Sequence, residues 1–250
     1  NVLGAGDGFM AGLLRGWLNN EKWSTSLTYA NACGALAVSR HGCAPAYPSL
    51  KELNFFLNNP IKCFALRNDK ELEQWHWSTN RKNIWSNLKV FAFDHRVQFE
   101  TIKGSNEEKI MKFKLLCLNA AKIVSKDFVN CGILCDGRYG EAVLSDAESS
   151  GLWIGRPAER PSTFPLEFET EVGVECGGLR EWPKTQVVKV LCYFESNSKF
   201  IGSEEQERKI IMLFEAARRN RLEFLLELIP KKKRSLSDIN ISNTMQRCYD

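Results

Sequence analysis

Two charged residues lie inside otherwise apolar stretches of the chain. Lys189 is the one charged residue of 187–191, and Glu227 is the one charged residue of 225–229. A lysine in such a place either pairs with a carboxylate or is a desolvated amine with a lowered pKa that attacks a carbonyl. A Lys189 to Glu227 pair across neighbouring strands explains both residues. Such a pair is either a structural ion pair or part of an active site, because interior charges often mark sites.

A second chemical signal lies at the start of the chain, where Gly4-Ala5-Gly6-Asp7 precedes an apolar helix pattern. Glycines allow the backbone to come close to a ligand, and the free N–H groups of a first helical turn favour a phosphate or an oxyanion. The acid has two interpretations. It acts on a ligand at this turn, or it only caps the helix.

Polar side chains also follow three of the predicted strands. The carboxyl ends of parallel strands meet at one edge of a sheet, so we expect these side chains to point into one mouth. They are Asp94, His95, Arg96, Asp136, Arg138 and Arg156.

The elements that position these residues are read from hydrophobic periodicity. Apolar strands alternate with helices, which is typical of a parallel α/β sheet. Because no glycine-rich dinucleotide fingerprint follows the first strand, a (β/α) barrel is favoured over a doubly wound sheet. The predicted strands are 88–93, 129–135, 151–154, 186–193 and 223–229. The predicted helices include 7–18, 27–39, 106–125 and 203–219, and the region between 58 and 85 is predicted to be irregular.

The composition restricts the class of protein. A net charge of +4 over 250 residues favours neither nucleic acid nor a membrane surface, and we expect neither as a partner. The basic cluster 231–234 is interpreted as a solvated loop. Nine cysteines without a Cys-x-x-Cys pair indicate reduced thiols in a cytoplasmic protein. Cys131 and Cys135 are four residues apart with no histidine following nearby, so no metal site is expected.

The start of the chain resembles a known family. The Gly-Ala-Gly-Asp string, the helix after it and residues 30–38 (ANACGALAV) are similar to the carboxy-terminal signature of the ribokinase-like (PfkB) sugar kinases. The resemblance implies that Asp7 is the catalytic base and that ATP, as its Mg²⁺ complex, is the phosphoryl donor without any prosthetic group. It further implies that Gly4, Ala5 and Gly6 form an anion hole and that Asn31 lines the adenine pocket.

The later part of the chain resembles a second module. It looks like the barrel domain that is fused behind the kinase in bacterial 5-dehydro-2-deoxygluconokinases of inositol breakdown, and the resemblance is carried by residues 89–96, 134–140, 151–157 and 187–191. That barrel domain is similar to Schiff-base aldolases. The resemblance implies that Asp94, Lys189 and Glu227 surround the substrate, with the strand-end residues binding its phosphate and sugar groups. It places the Schiff-base lysine on a sixth strand, which we expect to lie beyond residue 250.

Together the two resemblances predict an α/β chain made of two parts. The carboxy-terminal remnant of a ribokinase-like fold covers 1–60, a linker covers 61–86, and the first five strands of a (β/α)8 aldolase-like barrel cover 87–250. The implied function is ATP-dependent phosphorylation of 5-dehydro-2-deoxy-D-gluconate by the intact parent, with the barrel acting on the sugar phosphate.

Alternatives to this function stay open at this point. The barrel is either an aldolase or a non-catalytic binding or scaffold module beside an active kinase. We expect the chain by itself to be inactive, as a fragment of its parent, and a homo-oligomer is possible. The expected partners are a small sugar acid and ATP.

Overall fold

The computed structural model describes residues 2–42, 44–60, 63–81, 84–194 and 202–230. The chain divides into two compact units, Asn1–Ile84 and Trp85–Asp250. The predicted basic loop at 231–234 lies outside the described residues.

The first unit is helical in its described residues. Its first two helices cover the two predicted ones, although the second begins four residues earlier than expected. The helices are α1 (Ala5–Leu18), α2 (Trp23–Val38), α3 (Leu50–Asn58) and α4 (Lys70–Thr79). Short 3-10 turns lie at Ala44–Ala46 and Leu66–Asn68.

Helix α4 corrects the prediction of an irregular region between 58 and 85. The Asp69 side chain accepts a hydrogen bond from the N–H of Leu72 at 3.0 Å, and Glu71 and Glu73 lie in the first turn, where the helix dipole favours acids. Leu72 is buried. The prediction failed because the segment is polar and rich in tryptophan, so its one buried leucine gave no apolar periodicity.

Helices α1 and α2 meet through glycines. The buried residues of α1 are Gly8, Gly12 and Gly16. A Cβ atom at Gly12 would come within 2.5 Å of the carbonyl oxygen of Tyr29, so only glycine permits this approach. The face that packs against α2 is therefore the glycine face. Trp17, which follows Phe9 and Leu13 at fourfold spacing along α1, is 58% exposed and does not belong to this face.

The second unit contains five parallel strands in sequence order, β1-β2-β3-β4-β5, with the curl of half a barrel. The strands are β1 (Lys89–Ala92), β2 (Cys131–Leu134), β3 (Trp153–Pro157), β4 (Gln186–Phe194) and β5 (Phe224–Pro230). A doubly wound sheet would reverse its strand order partway. The sequential order is that expected for a (β/α) arrangement.

Helices join most of these strands. They are α5 (Val97–Glu100), α6 (Glu107–Val124), α7 (Gly137–Ala147) and α8 (Ser203–Arg219). The connection between β3 and β4 instead runs through residues 158–185 with a 3-10 turn at Gly177–Glu181, and within it Glu159 forms an isolated antiparallel bridge with Phe168.

The two faces of the sheet differ. On one face Ile133 and Ile154 pack with residues of α6 and α7, and Val188 and Val190 pack with residues of α8. Side chains alternate along a strand, so Lys189 lies on the opposite face. We call this second side the inner face of the sheet.

Candidate functional site

Lys189 lies in the middle of β4 with neighbouring strands on both sides. It is in register with Pro157 of β3 and with Leu225 of β5, and the residue is 2% exposed. Its ammonium group is therefore held within the inner face by the sheet itself.

Three carboxylates surround this ammonium. Nζ of Lys189 lies 3.0 Å from Oε2 of Glu227, 3.4 Å from Oε1 of Glu159 and 3.7 Å from Oδ2 of Asp94. The predicted Lys189 to Glu227 pair is confirmed, and Asp94 at the end of β1 joins it. The arrangement places one cation among three anions, which come from β5 and from the residues just after β1 and β3.

The charge state of Lys189 follows from this arrangement. Burial lowers the pKa of Lys189 most, but Glu159, Asp94 and Glu227 together raise it by more, so its pKa lies above the ordinary value. Lys189 is therefore an ammonium ion at neutral pH. The alternative of a desolvated amine with a lowered pKa is wrong.

Glu159 was missed by the sequence analysis. Its side chain is 6% exposed, and burial raises the pKa of its carboxyl group while Lys189 and Arg96 oppose that shift. Glu159 lies two residues beyond Pro157, whose strand partner is Lys189, so alternation places it on the inner face, but this register is not visible in the sequence.

Glu227 differs from its prediction in one respect. It was expected to be as interior as Lys189, but its side chain is 48% exposed. Among the described strands, β5 pairs with β4 alone, and Leu225 of the same strand is exposed as well. A carboxylate here can reach solvent, whereas Glu159 cannot.

Arg96 was expected to bind a substrate phosphate or sugar. It is buried instead, and its Nη1 donates to the carbonyl oxygen of Glu159 at 2.8 Å and to Oε1 of Glu169 at 2.6 Å. Nη2 lies 3.4 Å from Oε1 of Glu159. Because its guanidinium already pairs with the carboxylates of Glu159 and Glu169, Arg96 is poorly placed to bind the phosphate of a substrate.

Asp136 belongs to a different contact. It accepts a hydrogen bond from Nζ of the fully buried Lys114 of α6, and its Oδ2 accepts one from the N–H of Tyr139 at 2.8 Å at the start of α7. Lys114 also donates to the carbonyl oxygens of Phe93 and His95. Asp136 is thus the cap of α7 and the partner of a buried lysine that the sequence analysis missed.

The remaining strand-end residues are spread over other contacts. His95 is exposed, and its ring lies 5.9 Å from that of Phe99. Arg138 is exposed and forms an ion pair with Glu100 at 3.0 Å. In the part of the chain that the structure describes, neither side chain contacts Lys189. The roles of His95 and Arg138 in substrate binding stay predictions.

Arg156 lies on the face opposite Lys189, because its strand partner is Val188, which packs with residues of α8. It donates to Oε1 of Glu171 at 2.7 Å and stacks on Trp182 at 4.2 Å. The expectation that all six residues point into one mouth is therefore wrong for Arg156. Side-chain alternation inside β3 gives the physical reason, since predicted strand 151–154 ended before Arg156 and the observed strand includes it.

The start of α1 has the geometry of a helix terminus with free donors. Gly4 is the N-cap residue with φ 82°, and its carbonyl accepts the first helical hydrogen bond from Gly8 at 2.9 Å. The N–H of Ala5 donates to Val2 at 3.2 Å, and helix geometry leaves the N–H groups of Gly6 and Asp7 without a partner inside the helix. A Cβ atom at Gly6 would meet nothing within 4 Å.

Asp7 is in the first turn but is not the cap. The N-cap position belongs to Gly4, and no side chain caps the helix. The interpretation of Asp7 as a simple N-cap is therefore wrong. Asp7 is exposed, and its carboxylate makes no hydrogen bond or ion pair with the described residues. Asn31 is exposed on α2, and its place in an adenine pocket stays a prediction.

Two further features of the described residues concern metal binding and membrane association. Across residues 2–42, 44–60, 63–81, 84–194 and 202–230, no group of three or more His, Cys, Asp or Glu residues could hold a metal ion. None of the helices in that part of the chain combines the length and apolar character needed to cross a bilayer.

Comparison with known proteins gives two family matches. Residues 52–250 match the family described as an uncharacterized protein conserved in bacteria (DUF2090), and residues 1–50 match the pfkB family of carbohydrate kinases. The chain is 44% identical over 58 residues to an ATP-dependent ribose-1-phosphate kinase of Halopiger xanaduensis, covering 23% of the chain and 19% of that protein. It is 40% identical over 63 residues to a fructokinase of Vibrio alginolyticus, covering 23% and 20%. The chain thus spans 19 to 20% of the length of these relatives.

Proposed function

From the premise that the chain belongs to the DUF2090 family of bacterial proteins and begins with a PfkB carbohydrate kinase segment, we propose that it is part of a protein with two linked activities. The kinase domain phosphorylates a sugar acid, and the second domain cleaves the phosphorylated product by retro-aldol chemistry. We propose 1–60 for the kinase part, 61–86 for a linker and 87–250 for the first five strands of a (β/α)8 aldolase-like barrel.

One observation carries the lyase proposal, the ammonium of Lys189 among Glu227, Glu159 and Asp94 on the inner face. In a retro-aldol step a base removes the proton of the hydroxyl group and the carbon–carbon bond breaks to release an aldehyde. The electron pair of that bond moves onto the carbon next to the carbonyl group and forms an enolate, whose oxygen carries the negative charge until the carbon takes up a proton. A carboxylate that reaches solvent, as Glu227 does, can serve as the base. A fixed ammonium stabilises the negative charge that develops.

The substrate of the lyase follows from the resemblance to 5-dehydro-2-deoxygluconokinases. We propose that the kinase converts 5-dehydro-2-deoxy-D-gluconate and ATP, with Mg²⁺, into the phosphate ester. The barrel then acts on this phosphorylated keto acid. Such a compound has a carbonyl group and a hydroxyl group at the spacing that retro-aldol cleavage requires.

The start of α1 supports the kinase proposal. The N–H groups that have no partner inside the helix and the glycine at position 6 suit a phosphoryl group in transfer, and the exposed carboxylate of Asp7 is available to take the proton from a sugar hydroxyl. Gly4 and Ala5 complete the proposed anion hole, and Asn31 is proposed to face the adenine. The names of the kinase relatives support a sugar as the acceptor.

Borohydride trapping tests the lyase proposal. The intact parent protein is incubated with the phosphorylated keto acid and borohydride, and a covalent adduct of the expected mass is sought on a lysine. A Schiff-base aldolase gives the adduct, and its absence refutes that mechanism. Trapping with the unphosphorylated keto acid is the matched control.

The kinase proposal has its own test. In the intact parent, Asp7→Asn should abolish ATP-dependent phosphorylation while the fold is kept, and Asp69→Asn, at the N-cap of α4, should leave turnover unchanged. Unchanged turnover in Asp7→Asn refutes the assignment of the base.

A second function fits the same geometry. An ammonium among three carboxylates also suits a barrel that binds the phosphorylated keto acid without cleaving it, beside an active kinase. Binding of the phosphorylated keto acid without adduct or cleavage would identify this function.

A further inference from the structure

The three carboxylates around Lys189 differ in how strongly they act on it. The side chains of Glu159 and Asp94 are 6% and 15% exposed, whereas that of Glu227 is 48% exposed. Attraction between charges is stronger where water is excluded. The contact of 3.4 Å to Glu159 therefore holds the ammonium more firmly than the shorter contact to Glu227.

The main chain fixes Glu159 beside Lys189. The N–H of Ala158, the preceding residue, donates to the carbonyl oxygen of Lys189 itself at 2.8 Å. The carbonyl of Ala158 in turn accepts from Glu169 at 2.9 Å, and Glu159 forms a bridge with Phe168. The position of the Glu159 backbone is thus tied to that of Lys189.

Arg96 fixes the side chain and the neighbouring segment. Its guanidinium holds the carbonyl oxygen and Oε1 of Glu159 and also Oε1 of Glu169. Arg96 follows Asp94 by two residues. Arg96 therefore ties Glu159 to the chain segment that carries Asp94, and both of these shielded carboxylates contact Lys189.

Two atoms of this cluster are left without partners. Oε2 of Glu159 and Nε of Arg96 are buried and make no hydrogen bond with the described residues. Unpaired buried polar atoms cost stability, so these two atoms do not help to hold the fold together.

We infer that Glu159 is a positioning residue that keeps Lys189 as an ammonium ion directed at the substrate, and that Arg96 is the clamp that holds Glu159 in place. The inference rests on the proposed function for the substrate, but the charge state of Lys189 can be measured without one. In this role Arg96 and Glu159 control the charge and the position of Lys189, and they neither bind the phosphate group nor form a Schiff base.

The test is a titration of Lys189 in the full chain. The protein is labelled with ¹³C at the lysine Cε, the Lys189 signal is identified by its loss in Lys189→Met, and its chemical shift is followed against pH. Glu159→Gln should titrate at lower pH than the wild type, because a shielded carboxylate has been removed. Glu171→Gln, which breaks the ion pair with Arg156 on the other face, is the matched control and should titrate as the wild type does.

Two outcomes overturn the inference. They are coincident titration curves for Glu159→Gln and wild type, and an equal shift in Glu171→Gln. If Glu159→Gln does not fold, Glu159→Asp replaces it, because this variant keeps the carboxylate but moves it away from Lys189. Lys189 should then titrate at a pH between those of the wild type and of a variant without the carboxylate. A titration curve identical to that of the wild type counts against the inference. A wild type without cleavage activity would instead refute the proposed function and leave this titration valid.

Discussion

Lys189 lies nearer to Glu227 than to Asp94, 3.0 Å against 3.7 Å, yet Glu227 is the more exposed of the two carboxylates. The close contact is therefore the one that water screens, and the longer one lies in the shielded part of the inner face. This division suits a site in which one carboxylate exchanges protons and others hold a charge.

The pH dependence of stability should reveal the Lys189 cluster. The folded-state pKa of Lys189 is raised, so the stabilisation that it contributes is fully present below the unfolded-state pKa and is lost as the pH rises through the folded-state value. We expect the difference in unfolding free energy between wild type and Lys189→Met to be constant between pH 7 and 9 and to shrink above about pH 10.5. Urea unfolding over this range measures it, and a difference independent of pH would contradict the assignment.

Lys114 should be far more important for stability than its neighbour Lys112. Removing Lys114 leaves the charge of Asp136 buried without its partner, so Lys114→Met should cost about 3 to 5 kcal/mol. Lys112 forms an exposed pair with Glu108, and Lys112→Met should cost no more than about 0.5 kcal/mol. Urea unfolding compares them, and equal losses would show that the buried pair is not as described.

The glycine face of α1 gives a stability prediction in the first unit. Gly12→Ala forces a Cβ atom against the backbone of Tyr29, so we expect a loss of about 1 to 3 kcal/mol. Gly6→Ala meets nothing within 4 Å and should be neutral or slightly stabilising. Thermal unfolding followed by circular dichroism distinguishes the two, and a harmless Gly12→Ala would refute the close contact of α1 with α2.

Thiol reactivity should follow burial. The seven cysteines of the described residues are free; burial raises the pKa of Cys176 to about 11, with Arg219 opposing, and Cys63 is only half-buried. Because the thiolate is the reactive form, iodoacetamide should label Cys63 in the native protein long before Cys176. Mass spectrometry of timed samples measures the order, and rapid labelling of Cys176 would contradict its burial.

Periodicity predicted the elements that have a regular apolar pattern. The helix at 203–219 and the five strands were found close to their expected positions, and the order of the strands favoured a barrel-like sheet. The pair of Lys189 and Glu227 could be predicted because each is a charged residue within an otherwise apolar strand. That pattern is visible in the sequence itself.

Other residues gave no such signal. Glu159 lies in a long connection without regular pattern, and its contact with Lys189 depends on how that connection returns to β4. Lys114 lies on a helix with three other lysines, none of which is buried, so only the fold distinguishes it. Arg96 looked like an anion-binding residue because its partners, Glu159 and Glu169, are more than sixty residues away.

The active-site assignment of Lys189 is tested most directly by the cleavage of the phosphorylated keto acid. The intact parent protein is incubated with this compound, and the release of aldehyde is measured over time. We predict cleavage by the wild type, unchanged cleavage by Lys112→Met, and a fall of about a hundredfold or more in kcat for Lys189→Met, the range for loss of one preorganised charge. Cleavage by Lys189→Met at the wild-type rate, with the fold retained, would contradict the assignment of the inner-face cluster as the active site.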